Sequence, residues 1–239
     1  MRLPLKLIAT SIIGMLTWTS AWAADVETFV ALKTSLGAVT LDQMSHHRTI
    51  GTGLPIGNDI DGALDDTDIV DYTAGIGISV GKRWNYWTLE AELIWRYRTD
   101  WDLSAPTPSI QTITNVFSNV ETTSFSINLL RRGPISQHWS WEIGAGIGLV
   151  RNAIKTEYIE RATLTEPEFS TTDHAIATDF NYNILAGVVR SLGTAWSMNI
   201  RYRFIELGEL SAGPFPNRTV RVSSDHSAHE MQLSFERKF

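Results

Sequence analysis

The chain has no cysteine among its 239 residues. Disulfides are therefore excluded as a source of stability, and so is any thiolate metal site or thiol chemistry. Basic residues are also in deficit, 20 against 26 acidic, for a net charge of −6. That balance excludes the electropositive footprint of a nucleic-acid binder. Beyond the first two dozen residues there is no apolar run of the roughly 20 residues that a spanning helix requires. Mean hydropathy is near zero, at −0.07, and a search for helical spans would class the chain as soluble. A membrane strand escapes such a search, because it alternates apolar and polar residues and needs only about 10 of them to cross.

What is present begins with a short basic segment, Met1 to Lys6, followed by an apolar run to Leu16 and then Ala21-Trp22-Ala23. This three-part pattern is that of a secretory signal peptide, residues 1–23, cleaved after Ala23. The mature chain is then 24–239. Without Arg2 and Lys6 it holds 18 basic against 26 acidic residues, a charge of −8.

Eight alternating segments follow. The last is HEMQLSFERKF, with Phe239, Arg237, Phe235, Leu233 and Met231 on one face and Lys238, Glu236, Ser234, Gln232 and Glu230 on the other. A period of two is that of a strand with one greasy and one wet side. The same pattern recurs near 27–39, 71–82, 87–98, 121–131, 140–150, 179–188 and 196–204. The clearest is WTLEAELIWRYR, with Trp87, Leu89, Ala91, Leu93, Trp95 and Tyr97 opposite Thr88, Glu90, Glu92, Ile94, Arg96 and Arg98. The links between segments alternate long and short, as outer loops and periplasmic turns do in outer-membrane barrels. Trp84, Tyr86, Trp87, Trp139, Trp141, Trp196 and Phe239 all fall at short turns or at the chain end. They predict an interfacial aromatic girdle at one rim, because indole and phenol rings are apolar in one part and hydrogen-bonding in another. The fold expected is an all-β, eight-stranded antiparallel up-and-down transmembrane barrel, with the last strand closing on the first.

Eight strands leave an interior that side chains fill. Facing it are the glycines Gly75, Gly77, Gly144, Gly146 and Gly148 and the charges Glu90, Glu92, Arg96, Arg98, Glu142, Arg201 and Arg203. Small residues on some strands make room for long charged ones on others. We expect those seven charges to form a lumen ion-pair network, since an unpaired buried charge is costly; the competing reading is a pore lining. Glu90 and Glu92 as an acid–base pair carry little weight beside the basic residues of the same face.

Other constellations are weaker. GNDIDGALDDTD echoes a calcium loop at Asp59, Asp61, Gly62 and Asp68, but Gly57 stands where the first ligand belongs; a solvated acidic loop is the expectation. His46 and His47 are adjacent and would point to opposite sides of an extended chain. His226, Ser227 and His229 supply the residue types of a hydrolytic triad without its strand geometry or a nucleophile elbow. No catalytic, cofactor or metal residue is assigned. The long third link, about 152–177, is acidic and Thr-rich, the kind of segment in which binding resides.

Three stretches resemble a known family. IGAGIGLV (Ile143–Val150) is similar to its fifth-strand glycine repeat, IRYRFIELGEL (Ile200–Leu210) to its Tyr-Arg-Tyr-Phe-Asp-Leu-Gly signature, and terminal Phe239 to the signal read by the barrel-assembly machinery. The family is that of the small eight-stranded outer-membrane β-barrels of Gram-negative bacteria, OmpA-type and opacity-protein-like, within the porin superfamily. One departure is Arg237, where that family has an apolar or aromatic residue. The resemblance implies residence in the outer membrane, contact with its lipid and lipopolysaccharide, and the assembly machinery as partner of the last strand. It implies a non-enzymatic structural or surface-recognition role through the outer loops, antigen- or adhesin-like. A narrow passive channel and a lipid A-modifying enzyme are the alternatives.

Overall fold

The computed structural model describes residues 26–49, 69–107, 112–162, 169–213 and 219–239. Eight strands account for nearly all of them: β1 (Glu27–Thr49), β2 (Ile69–Trp84), β3 (Trp87–Thr107), β4 (Thr112–Pro134), β5 (Trp139–Ala162), β6 (Phe169–Ser191), β7 (Trp196–Ala212) and β8 (Thr219–Lys238). Each pairs antiparallel with its sequence neighbours, and β1 also pairs with β8, from Phe29↔Lys238 to Thr49↔Thr219. The barrel is closed, so the first and last strands cover each other's edges.

The wall is inside out relative to a soluble protein. Leu36, Ile147 and Phe180 are 68, 72 and 78% exposed, while Glu90, Glu92, Arg96 and Arg201 are each 1% exposed. Alternation explains both, since successive side chains point to opposite faces of a strand. The outward apolar band includes Leu32 and Leu36 on β1, Ile76 and Ile78 on β2, Leu89 and Leu93 on β3, and Leu233 and Phe235 on β8. Among the described residues no helix is long and apolar enough to cross a membrane.

The strands run further than the alternation suggests. β5 and β6 pair out to Glu160↔Phe169, so most of the supposed loop 152–177 is a hairpin. Only 163–168 lie between those strands, and 108–111 between β3 and β4. Polar residues appear on both faces there, which hides the period of two although the ladder continues. DHSAHE lies well inside β8, which begins at Thr219. The acidic stretch 57–68 and the signal segment 1–23 lie outside the described residues.

Two ladders stop early. β2 and β3 pair only as far as Gly75↔Arg96, and β6 and β7 only as far as Tyr182↔Glu206. With eight strands in the ring, these seams face each other across the barrel. Main-chain N–H groups beyond a ladder need other acceptors, and aspartates supply them. Asp71 Oδ2 accepts from Asp100 N at 3.1 Å, Asp179 Oδ2 from Glu209 N at 3.3 Å, and Asp173 Oδ2 from Gly213 N at 3.1 Å. Each also accepts, through Oδ1, the amide of the residue after it, at 2.7–2.8 Å. At the second seam a bulge lies between Glu206 and Glu209. Gly208, the glycine of the family-like motif, has φ +79° there, and a Cβ on it would meet the Asp179 carboxylate.

Candidate functional site

The inward faces of β1, β3, β5, β7 and β8 build one connected set of ion pairs. Lys33 Nζ donates to Glu90 Oε1 at 2.6 Å and also to Glu92. Arg201 Nη1 forks onto both Glu90 oxygens at 3.0 and 3.1 Å, and its Nε donates to Glu142. Arg203 donates to Glu92 and Glu230, and Arg96 to Glu230 at 2.5 Å. Arg132, on β4, reaches Glu142 at 2.9 Å. Below these, Arg83 bridges Glu27 and Glu236 at the end of the barrel where the turns are short. Among the described residues seven cations (Lys33, Arg83, Arg96, Arg132, Arg201, Arg203 and, 3.6 Å from Glu27 at the rim, Lys238) thus face six carboxylates (Glu27, Glu90, Glu92, Glu142, Glu230, Glu236). Near-balanced charge and forked geometry are what allow charge to be held away from water.

The geometry crosses the lumen rather than lining it. β7 and β3 are four strands apart, directly opposite in a ring of eight, yet Arg201 and Arg203 on β7 bond Glu90 and Glu92 on β3. Glycines on the remaining walls admit these long side chains. A Cβ on Gly146 would overlap the Asn128 and Asn183 amides, which bond each other at 3.2 Å.

A second layer lies toward the end bearing the seams. Val39, Val150, Ile205, Leu207 and Ala228 form one buried apolar cluster. Leu41, Trp101, Val116, Val120, Ile154, Tyr158, Leu210 and Ala212 form another. Between the charged layer and the first apolar cluster the wall is neutral and polar, Ser126 donating to Asn181 at 3.0 Å, and between the two clusters Thr122 donates to Asn152 at 2.9 Å. The lumen is therefore filled twice, by charge and by hydrocarbon.

An inside-out barrel with a filled core has one setting in which its apolar exterior is covered, a lipid bilayer. Residues 15–239 match the family described as outer membrane protein beta-barrel domain. The chain belongs to that family. It is an outer-membrane β-barrel, and its place is the cell outer membrane. Among solved structures it is similar to Neisserial surface protein A, with 13% identity over 88% of this chain and 97% of that one and a TM-score of 0.49. OprG of Pseudomonas aeruginosa matches at 12% identity over 87% and 95%, with a TM-score of 0.49. Ail of Yersinia pestis, solved with the heparin analogue sucrose octasulfate, matches at 10% over 90% and 100%, with a TM-score of 0.46. No curated protein sequence matches the chain.

In this outer-membrane barrel, six of the seven charges expected inside are brought together: Glu90, Glu92, Arg96, Glu142, Arg201 and Arg203 are buried and bonded. Arg98 is not. The β3–β4 register shifts between Arg96 and Thr99, which turns Tyr97 and Arg98 to the same, outer side. Arg98 is exposed and pairs with Asp100 at 2.9 Å. An extra residue in one strand reverses the alternation, and the sequence carries no mark of it.

The alternation also holds residues it did not single out. Lys33, Arg83 and Arg132 share the inward parity of their strands and supply further cations to the network. Trp84, Tyr86, Trp87, Trp139, Trp141, Trp196 and Phe239 stand at the rim of short turns, and all but Trp84, which is half-buried, are exposed outward. His226 is buried beside the apolar clusters with Nδ1 unpartnered, while His229 faces out and bonds the Tyr202 hydroxyl at 2.6 Å. No described hydrogen bond joins Ser227 to either histidine. His46 and His47 lie in β1, but their side chains lie outside the described residues.

Proposed function

We propose that this barrel is a sealed, non-catalytic scaffold in the outer membrane that presents its extended outer hairpins for recognition at the cell surface. The observation that carries the reading is the pairing of Arg201 and Arg203 with Glu90 and Glu92 across the full width of the lumen. A wall-to-wall bridge of buried charge holds the scaffold closed, and a scaffold of that kind acts through what it displays. The β5–β6 hairpin continues in register past Thr156↔Asp173, beyond the last large outward apolar residues of these two strands, Leu149 and Ile176. Paired strands project a binding surface more rigidly than loops do. Lipopolysaccharide and phospholipid are the surroundings in this reading. The barrel-assembly machinery meets β8 before β1 does; in the finished barrel Phe239 N donates to Thr28 O at 2.9 Å.

Planar-bilayer recording tests the sealed lumen: the folded chain should give no steady single-channel current. Deleting Thr156 to Asp173 and rejoining the hairpin tests the display. Cells carrying the shortened barrel should keep its heat-modifiable gel mobility but lose retention on glycan-coated surfaces. Steady conductance in the wild type, or equal retention of both forms, would overturn the reading.

A further inference from the structure

The departure at Arg237 is one of a set. Arg237 on β8 is directly opposite Trp196 on β7, Arg131 on β4 is opposite Trp87 on β3, and Arg190 on β6 is opposite Trp139 on β5. In each pair the guanidinium lies over the indole, with Cζ to ring centroid 5.7, 6.0 and 5.5 Å respectively. Arg237 also covers the Phe239 ring at 5.2 Å. All three arginines are exposed, and among the described residues none makes a side-chain hydrogen bond or ion pair. The three sites fall on alternate strands, so they recur about every 10 Å around the wall. Their rim is the one with the short turns and the closing contact of Phe239, which an even-stranded barrel places on the periplasmic side.

We infer that this rim is a binding belt for anionic phospholipid headgroups of the periplasmic leaflet, each Trp–Arg pair holding one phosphate. Stacking on the indole fixes the plane of each guanidinium and leaves its N–H fork free to point at the headgroup. A fork of N–H donors matches phosphate oxygens, and the indole beside it rests at the headgroup level where amphipathic rings collect. No structural carboxylate competes for these cations, unlike those of the lumen. The opposite end of the wall has an acidic excess, with Asp100, Asp102, Glu121, Glu157, Glu209 and Asp225 exposed beside Arg98, Arg151 and Lys155, so the preference is specific to one leaflet. The inference rests on the outer-membrane setting and is independent of the proposed surface role.

The test is native mass spectrometry of the full chain, refolded into nanodiscs of equal phosphatidylcholine and phosphatidylglycerol. The wild type should retain phosphatidylglycerol in preference to phosphatidylcholine. A triple R131Q/R190Q/R237Q variant should lose that preference at least tenfold, since a single cation beside an anionic surface is worth roughly fivefold. A triple Arg→Lys variant should keep part of it, retaining charge without the planar fork. R98Q/R151Q, which removes exposed cations from the other end, should change nothing. Heat-modifiable mobility confirms that each variant is folded; if the glutamine triple does not fold, the three single glutamine variants are measured in its place. Unchanged preference in the folded glutamine variants, or an equal loss in R98Q/R151Q, would overturn the belt.

Discussion

Glu90 accepts from Lys33, Arg201 and Asn128 at once. Glu90→Gln keeps the shape and removes the charge, leaving Lys33 and Arg201 with one carboxylate each, Glu92 and Glu142, and the buried network with a net positive charge. Breaking a buried pair from one side costs about 3–5 kcal/mol, and the loss should appear in urea unfolding in vesicles followed by tryptophan fluorescence. Arg98→Gln removes a charge of the same strand from an exposed pair and should stay within about 0.5 kcal/mol of wild type. If the two variants are equally stable, the buried network is not what holds the barrel together. Gly146→Val makes a separate demand: its side chain must displace the Asn128 and Asn183 amides, at about 1–3 kcal/mol for overpacking. Glu90 was legible in the sequence because its neighbours Leu89 and Ala91 are apolar. Arg98 sat in the same pattern and faces the other way, because parity holds only until a bulge.

The elements show where that legibility stops. Strand starts after the short turns are marked by tryptophan: β3, β5 and β7 begin at Trp87, Trp139 and Trp196. The opposite ends carry no such mark. Once a strand leaves the apolar band both of its faces meet polar surroundings, and β5 reads as a loop from Asn152 although its ladder runs on to Ala162. The seams were equally hidden, since a missing ladder is a property of two strands and not of either alone. Their aspartates are testable as substitutes for a ladder. Asp173→Ala with Asp179→Ala removes charged acceptors from Gly213 N and Glu209 N, each worth about 1.5–3 kcal/mol. Hydrogen exchange at those two amides should accelerate while the amides of β6 and β7 below Tyr182↔Glu206 stay protected. Closure is testable in a chain free of native cysteine: Leu32→Cys with Phe235→Cys, directly opposite in the β1–β8 register, should oxidise to an intramolecular disulfide, and Leu32→Cys with Met231→Cys should not. The reverse result would mean that the barrel closes in another register.

Across the whole molecule, charge and hydrocarbon close the same passage in series, and the two barriers are chemically independent. The charged layer was legible as a plug because Glu90, Glu92, Arg201 and Arg203 lie on strands whose parity is plain. The apolar layer was not, because Val150, Ile205 and Leu207 follow segments whose inward residues are polar, and an inward apolar residue there reads as the end of a strand. A path through two barriers in series opens only when both are removed. Arg201→Ala with Arg203→Ala should therefore destabilise the barrel without giving steady current, since Ile205 and Leu207 still pack against Val39 and Val150 above the gap. Adding Ile205→Gly and Leu207→Gly, with Trp101→Gly and Tyr158→Gly to open the second apolar cluster, should produce a conducting lumen whose current depends on the sign of the ion, because Glu90, Glu92 and Glu142 then outnumber the cations left beside them, Lys33 and Arg132. That selectivity should favour cations. A current already present in the two-arginine variant would show that the charged layer alone keeps the barrel shut, and a steady anion-selective current in the fully opened one would show that the remaining carboxylates do not line its path.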